Sequence, residues 1–132
     1  MRHLAIDFGE KHIGTAISNE DGTMAFPHET LSGGPGLATA IEKIVHEKRI
    51  EVIVIGESKD YSGKENPIME KARAFAAVLA ERTGLPIYFE PEFMTSTEAR
   101  HIQGGGDKTH SSAAALILKS YLDKEIHKQQ NI

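Results

Sequence analysis

Leu4, Ala5 and Ile6 form an apolar run that reads as a buried strand leading into one carboxylate, Asp7. Gly9 and Gly14 permit a tight return with close backbone approach, and the apolar pattern resumes over residues 13–17 as a second strand. Asn19, Glu20, Asp21 and Gly22 predict a hairpin turn, because Asp-Gly favours the positive φ such turns require. A third strand is expected over residues 23–30. Pro27 inside it cannot donate to a ladder and predicts an edge position.

Beyond Gly33, Gly34, Pro35 and Gly36, the apolar positions Leu37, Ile41, Ile44 and Val45 recur at helical spacing and predict a helix packed on the sheet. Val52, Ile53, Val54 and Ile55 are an unbroken β-branched run, which suits a central strand covered on both faces; it ends at Gly56 and Glu57. Residues 59–66 are polar and predict a loop. Pro67 opens a second helix with an inner stripe of Ile68, Ala72, Phe75, Ala76 and Leu79, stopped by Gly84 and Pro86. Ile87, Tyr88 and Phe89 predict a short fifth strand before Glu90, Pro91 and Glu92. Thr95, Ser96, Thr97 and Glu98 match a capping box, so a short helix is expected there, cut off by a poorly ordered loop at Gly104, Gly105 and Gly106. The last helix is expected from near His110 or Ser111, apolar almost all round as far as Leu122, with a frayed tail from about residue 124. The sum is one α/β domain over residues 1–132: a five-stranded mixed sheet, three antiparallel strands then two parallel, flanked by helices.

Composition narrows the chemistry. There are no cysteines among the 132 residues, so a disulfide framework, a thiolate metal site and a cysteine nucleophile are all excluded. No signal-peptide pattern and no membrane-length apolar run is present, which predicts a cytoplasmic protein without membrane association. The net charge of −4 has the wrong sign for holding nucleic acid by bulk electrostatics. Such a partner would need a local basic rim or divalent cations.

Loops leaving the carboxyl ends of buried strands converge in one crevice, and this rule brings together Asp7, Glu57 and Glu92. Clustered carboxylates repel one another unless a cation joins them, and hard oxygen donors select Mg²⁺ or Mn²⁺. Ordinary roles compete with this one: Asp7 could cap a turn through its own backbone, and Glu57 and Glu92 could be solvated loop charges. No two of the seven histidines are spaced as a helical zinc pair. His110, ahead of the buried helix, is either a cap or packing residue or a ligand. Substrate contacts are expected from Lys11, His12, Lys59, Lys64, Thr95 and Lys108, although solvated surface charge explains the lysines equally well.

Several of these segments together resemble the YqgF/RuvX family. They are Ile6-Asp7-Phe8-Gly9 with Ile13-Gly14-Thr15-Ala16-Ile17-Ser18, Val54-Ile55-Gly56, Ala80-Glu81-Arg82-Thr83-Gly84-Leu85-Pro86, Glu92 with Thr95-Ser96-Thr97-Glu98-Ala99, and Ala113-Ala114-Ala115-Leu116-Ile117-Leu118. The resemblance implies an RNase H-like fold and a nuclease of precursor 16S rRNA or of Holliday junctions. It also implies phosphodiester hydrolysis with two Mg²⁺ or Mn²⁺ ions, Asp7 shared between them and Glu92 a second ligand. The family's third acid, an aspartate at the head of the last helix, is His110 here. Three arrangements stay open: His110 ligates, Asp107 swings in from the glycine loop, or the site is impaired. Glu57 resembles the glutamate that RuvC-type resolvases carry at the end of strand four, and the expected site is Asp7, Glu57, Glu92 and His110. Phe93 and His12 stand where the family usually has arginine, which weakens the basic rim.

The favoured partner is structured RNA, with branched DNA as the alternative, and the favoured state is a monomer or weak homodimer. A non-catalytic RNA-binding or assembly module is a further reading. An actin-like phosphotransferase shares the Asp-x-Gly turn but needs two such domains, and this chain supplies one.

Overall fold

The structure is a computed structural model that describes residues 1–59, 62–93 and 107–130. Five strands, β1 (His3–Phe8), β2 (His12–Ser18), β3 (Ala25–Ser32), β4 (Val52–Lys59) and β5 (Ile87–Phe93), form one sheet in the order β3-β2-β1-β4-β5. β1 pairs antiparallel with β2 and β2 with β3, whereas β1–β4 and β4–β5 are parallel. Three helices are described: α1 (Leu37–Lys48), α2 (Ile68–Thr83) and α3 (Asp107–Gln130). Among the described residues, no helix is long and apolar enough to cross a membrane.

Strand alternation divides the core into two unlike halves. Leu4, Ile6, Ile13, Ile53 and Ile55 face α1 and α2, packing on Leu37, Ile41, Ile44, Met69, Ala72 and Leu79. On the other face Ala5, Ala16, Val52 and Val54 meet Ala114, Ile117, Leu118 and Leu122 of α3. Branched side chains on one face and small ones on the other let α3 lie close to the backbone of β1 and β2. A Cβ at Gly14 would overlap the backbone carbonyl of His110, so the first turn of α3 can sit there only because residue 14 has no side chain.

The expected mixed sheet is present, with Pro27 on the edge strand β3 and the Val52–Ile55 run on an interior strand between β1 and β5. Gly84 ends α2 in the left-handed conformation at φ 70°, donating its N–H to the Ala80 carbonyl at 3.0 Å. Boundaries differ in four places. β3 begins at Ala25 rather than residue 23, because Asn19 Oδ1 accepts the N–H groups of Thr23 (2.9 Å) and Met24 (3.1 Å) and keeps both in the turn. β4 and β5 run on to Lys59 and Phe93, pairing Glu57 with Pro91 and Ser58 with Glu92. Pro67 caps α2 instead of lying within its first turn. The last helix starts at Asp107 and continues to Gln130, so the tail beyond residue 124 is helical rather than frayed. Its polar end is held by Lys119–Asp123 (3.2 Å), Lys128–Glu125 (3.3 Å) and a tie from Lys124 to Glu90 of β5 (2.6 Å). The capping box at 95–98 and the glycine run at 104–106 lie outside the described residues.

Candidate nuclease site

Asp7 is the next-to-last residue of β1 and, two residues after Ala5, points to the α3 face. Its direct neighbours across the sheet offer almost no side chain. On one side it pairs with Gly14. On the other, continuing the β1–β4 register past Ile6 and Ile55 brings Gly56 alongside. Those two gaps are filled from outside the ladder. The His110 carbonyl covers Gly14, and the Glu92 carboxylate covers Gly56, where a Cβ would collide with Glu92 Oε2 and with Ile117 Cδ1.

Glu92 reaches this place because β5 carries Tyr88, Glu90 and Glu92 on the α3 face and Ile87 and Phe89 on the other. Its residue exposure is 6%. Burial, and secondarily the negative charge of Asp7, push the Glu92 carboxyl from the usual 4.5 up to about 8. Both influences raise it, so each acid makes ionisation of the other more costly. The neighbouring acid Glu90, 3% exposed, is handled differently: its Oε2 accepts bonds from Ser120 Oγ (2.8 Å) and Lys124 Nζ (2.6 Å). That bond set ties β5 to the second half of α3, whose first turn carries His110.

His110 is half-buried, and its ring lies 5.1 Å from that of exposed His12, centroid to centroid, with the planes 33° apart. Asp7, Glu92, His110 and His12 thus gather on the α3 face at the carboxyl end of β1.

Glu57 does not join them. One residue beyond Gly56 it falls on the opposite face, where Oε1 pairs with Lys59 Nζ (2.9 Å) and Oε2 with Arg73 Nη2 of α2 (2.9 Å). Arg73 also pairs with Glu65 and sits 4.6 Å from the Phe89 ring centroid. The expected four-residue site containing Glu57 is therefore corrected by strand alternation: Glu57 is neutralised on the α2 side and the sheet separates it from Asp7. Lys59 is spent on the same pair. Lys64 is exposed in the turn before α2, and Lys11 is exposed in the β1–β2 turn, where its carbonyl accepts the Gly33 N–H at 3.0 Å. Asp107 and Lys108 open α3, and Thr95 lies outside the described residues. Arg73 was not anticipated. Its signal was a basic residue beside the inner stripe of α2, which acquires meaning only once the face of Glu57 is known.

A buried carboxyl whose ionisation is opposed by burial and by the charge of a half-buried carboxylate beside it is donor chemistry for a hard divalent cation, and Glu92 with Asp7 fits one. Among the described residues they belong to no group of three or more His, Cys, Asp or Glu able to hold a metal. As placed, these two carboxylates supply only part of the donor set such an ion needs.

The chain is similar to proteins named "Putative pre-16S rRNA nuclease". That of Edwardsiella ictaluri is 33% identical, covering 92% of this chain and 94% of the relative. That of Oenococcus oeni is 36% identical, covering 95% and 96%. Among solved structures, RuvC of Thermus thermophilus in complex with a Holliday junction substrate superposes with a TM-score of 0.63 at 21% identity, covering 96% of both chains. The fowlpox virus Holliday junction resolvase gives 0.57 at 12%, covering 95% of this chain and 99% of the other. These two likenesses establish the RNase H-like, mixed-sheet fold. Residues 1–124 match the family model described as RuvX, Holliday junction resolvase, and with the relatives above this shows that the chain belongs to the RuvX family.

Proposed function

We propose that this protein is a cation-dependent nuclease that hydrolyses phosphodiester bonds in structured RNA, with maturation of precursor 16S rRNA as its role. The observation that carries the reading is the buried Glu92 carboxyl beside Asp7 on the α3 face, where burial and the charge of Asp7 both oppose its ionisation. Asp7 and Glu92 would hold Mg²⁺ or Mn²⁺, and the first turn of α3, with His110 and Asp107, would complete the ligand set. When bound, the cation supplies activation of the attacking water and charge stabilisation of the leaving oxygen. The protein's own groups do the rest. Glu92 keeps its carboxyl proton at neutral pH until a cation takes that place. Lys11 and His12 are exposed at the β1–β2 turn, where they would steer phosphates, and Lys64, exposed before α2, would add charge for a longer substrate. With a net charge of −4, substrate binding should be weak and should fall with salt.

The name carried by relatives that cover almost the whole chain favours RNA. The description of the matching family model favours a second reading, resolution of branched DNA, which would need a symmetric dimer to cut two strands. Incubating the purified protein and Mn²⁺ with a precursor 16S rRNA fragment and, side by side, with a four-way DNA junction separates the two. RNA cleavage that Asp7→Asn abolishes is the expected result. Cleavage retained by Asp7→Asn would sink the assignment, and cleavage confined to the junction, by a dimer, would replace RNA with DNA.

A further inference from the structure

The strand that carries Glu92 also carries an aromatic ring on the same face. Tyr88 stands four residues before Glu92 on β5, roughly 13 Å along the strand at about 3.3 Å per residue. Its ring lies 5.9 Å from that of Tyr121 on α3 with the planes 23° apart, and Tyr121 in turn lies 5.7 Å from the His3 ring on β1. The three rings form a row that crosses the sheet from β1 to the edge strand β5. Among the described residues the row ends at Tyr88, which is 48% exposed. A ring that only sealed α3 onto the sheet would be covered, as Leu118 and Leu122 are. Instead Tyr88, with Tyr121, Lys124, Glu125 and Lys128, lines a cleft of about 510 Å³, within the roughly 300–1,000 Å³ of small-ligand pockets.

The charges of the cleft decide what it can hold. Lys124 pairs with Glu90 (2.6 Å) and Lys128 with Glu125 (3.3 Å), so the lining is close to neutral. A bare phosphate gains little from such a surface, whereas a base gains by stacking, which needs no net charge, and by bonds from its polar edge to the lysine and glutamate side chains. We propose that Tyr88 and this cleft bind an unpaired base of the RNA substrate, about four stacked steps of roughly 3.4 Å from the bond held beside Asp7 and Glu92. The structured RNA then carries a single-stranded segment next to the cut. Glu90 lies between the two points, and its bonds from Ser120 and Lys124 keep an uncompensated carboxylate out of the path of the RNA backbone. The inference rests on the nuclease reading and narrows its substrate class.

A double-mutant cycle on RNA binding tests it without cleavage. The full-length protein is titrated, in chelator at low salt, into a labelled RNA hairpin with a single-stranded tail, and fluorescence anisotropy reads the affinity. Tyr88→Ala should bind about fivefold or more weakly, with the slope of affinity against salt unchanged because no phosphate contact is lost. A hairpin whose tail keeps its phosphates but lacks its bases should lose the same factor with the wild type and lose nothing further with Tyr88→Ala. Tyr88→Phe retains the stacking face and should stay within about twofold of wild type. Should circular dichroism show Tyr88→Ala unfolded, Tyr88→Leu takes its place in the cycle, filling the position without an aromatic face. Wild-type affinity in the ringless variant, or a loss that is the same on the normal and the base-free tail, would overturn the stacking site and spare the nuclease reading, which cleavage by wild type and Asp7→Asn tests separately. Failure of the wild type to bind either hairpin, with chelator or with Mn²⁺, would overturn both.

Discussion

In cation-free solution the protein should lose stability as pH rises through the neutral range, and Glu92→Gln should remove most of that loss. The Glu92 carboxyl ionises near 4.5 in an unfolded chain and at about 8 in the folded one. Between those values the folded state holds a proton that the unfolded state has released, so stability must fall with rising pH, at up to about 1.4 kcal/mol per pH unit. The favourable condition is fully present below pH 4.5 and is gone above pH 8, where ionising the buried group costs on the order of 4–5 kcal/mol before structural relaxation is allowed for. Water entry and side-chain movement will reduce this, and because Asp7 shares the titration the loss belongs to the pair. Urea unfolding at several values from about pH 5 to about pH 9 in a chelator measures it directly. Glu92→Gln should flatten the profile and exceed the wild type by about 2 kcal/mol or more at the alkaline end. Saturating Mn²⁺ should restore the wild type there, and at neutral pH, where Glu92 still holds its proton, binding should release protons. A Glu92→Gln profile as steep as that of the wild type would refute the argument.

Glu57→Gln breaks only the pairs with Lys59 and Arg73 on the far face, so it should leave Mn²⁺ affinity and cleavage within about threefold of wild type and cost roughly 1 kcal/mol or less in chemical denaturation. Gly14→Ala drives a methyl into the His110 carbonyl; a loss of about 2 kcal/mol or more is expected, together with weaker Mn²⁺ binding, read by denaturation and titration. Arg49 ends α1 in the left-handed region at φ 54° without being glycine, so Arg49→Gly should raise stability by about 0.5–1 kcal/mol with no change in metal binding.

What could be read from residues alone was whatever short-range rules decide. Pro27 announced an edge and Gly84 a helix stop, and the β-branched run announced a central strand, because each depends on local backbone chemistry or on one face being covered. Gly14 announced close backbone approach, and the first turn of α3 makes that approach. The convergence of Asp7 and Glu92 followed from topology, since parallel neighbours deliver their carboxyl ends to the same edge. Glu57 was misplaced for a reason that local pattern cannot supply. The run from Val52 to Gly56 is buried on both faces, so its alternation gives no sign of which residues share a face with Asp7. Only the register of β1 on β4 decides that, and a shift of one residue reverses it. The length of α3 was hidden similarly, because its polar end is stabilised by Glu90, far away in sequence.

The contrast among three glutamates explains how one sheet edge keeps a reactive charge. Glu57 and Glu90 each meet a basic side chain from a packing helix, Arg73 or Lys124, and those pairs are complete without any added ion. Glu92 is as buried as Glu90, yet the charge beside it is another acid. Desolvating a carboxylate costs several kcal/mol unless it is compensated, so a fold that answers two such groups with cations and leaves the third facing Asp7 maintains, among the described residues, a local deficit of positive charge. Gly56 makes the deficit possible by clearing the space that the Glu92 carboxylate occupies. A divalent cation removes two repulsions at once, between Glu92 and its surroundings and between Glu92 and Asp7. Cation binding at this site therefore relieves a cost that the pairs of Glu57 and Glu90 do not carry.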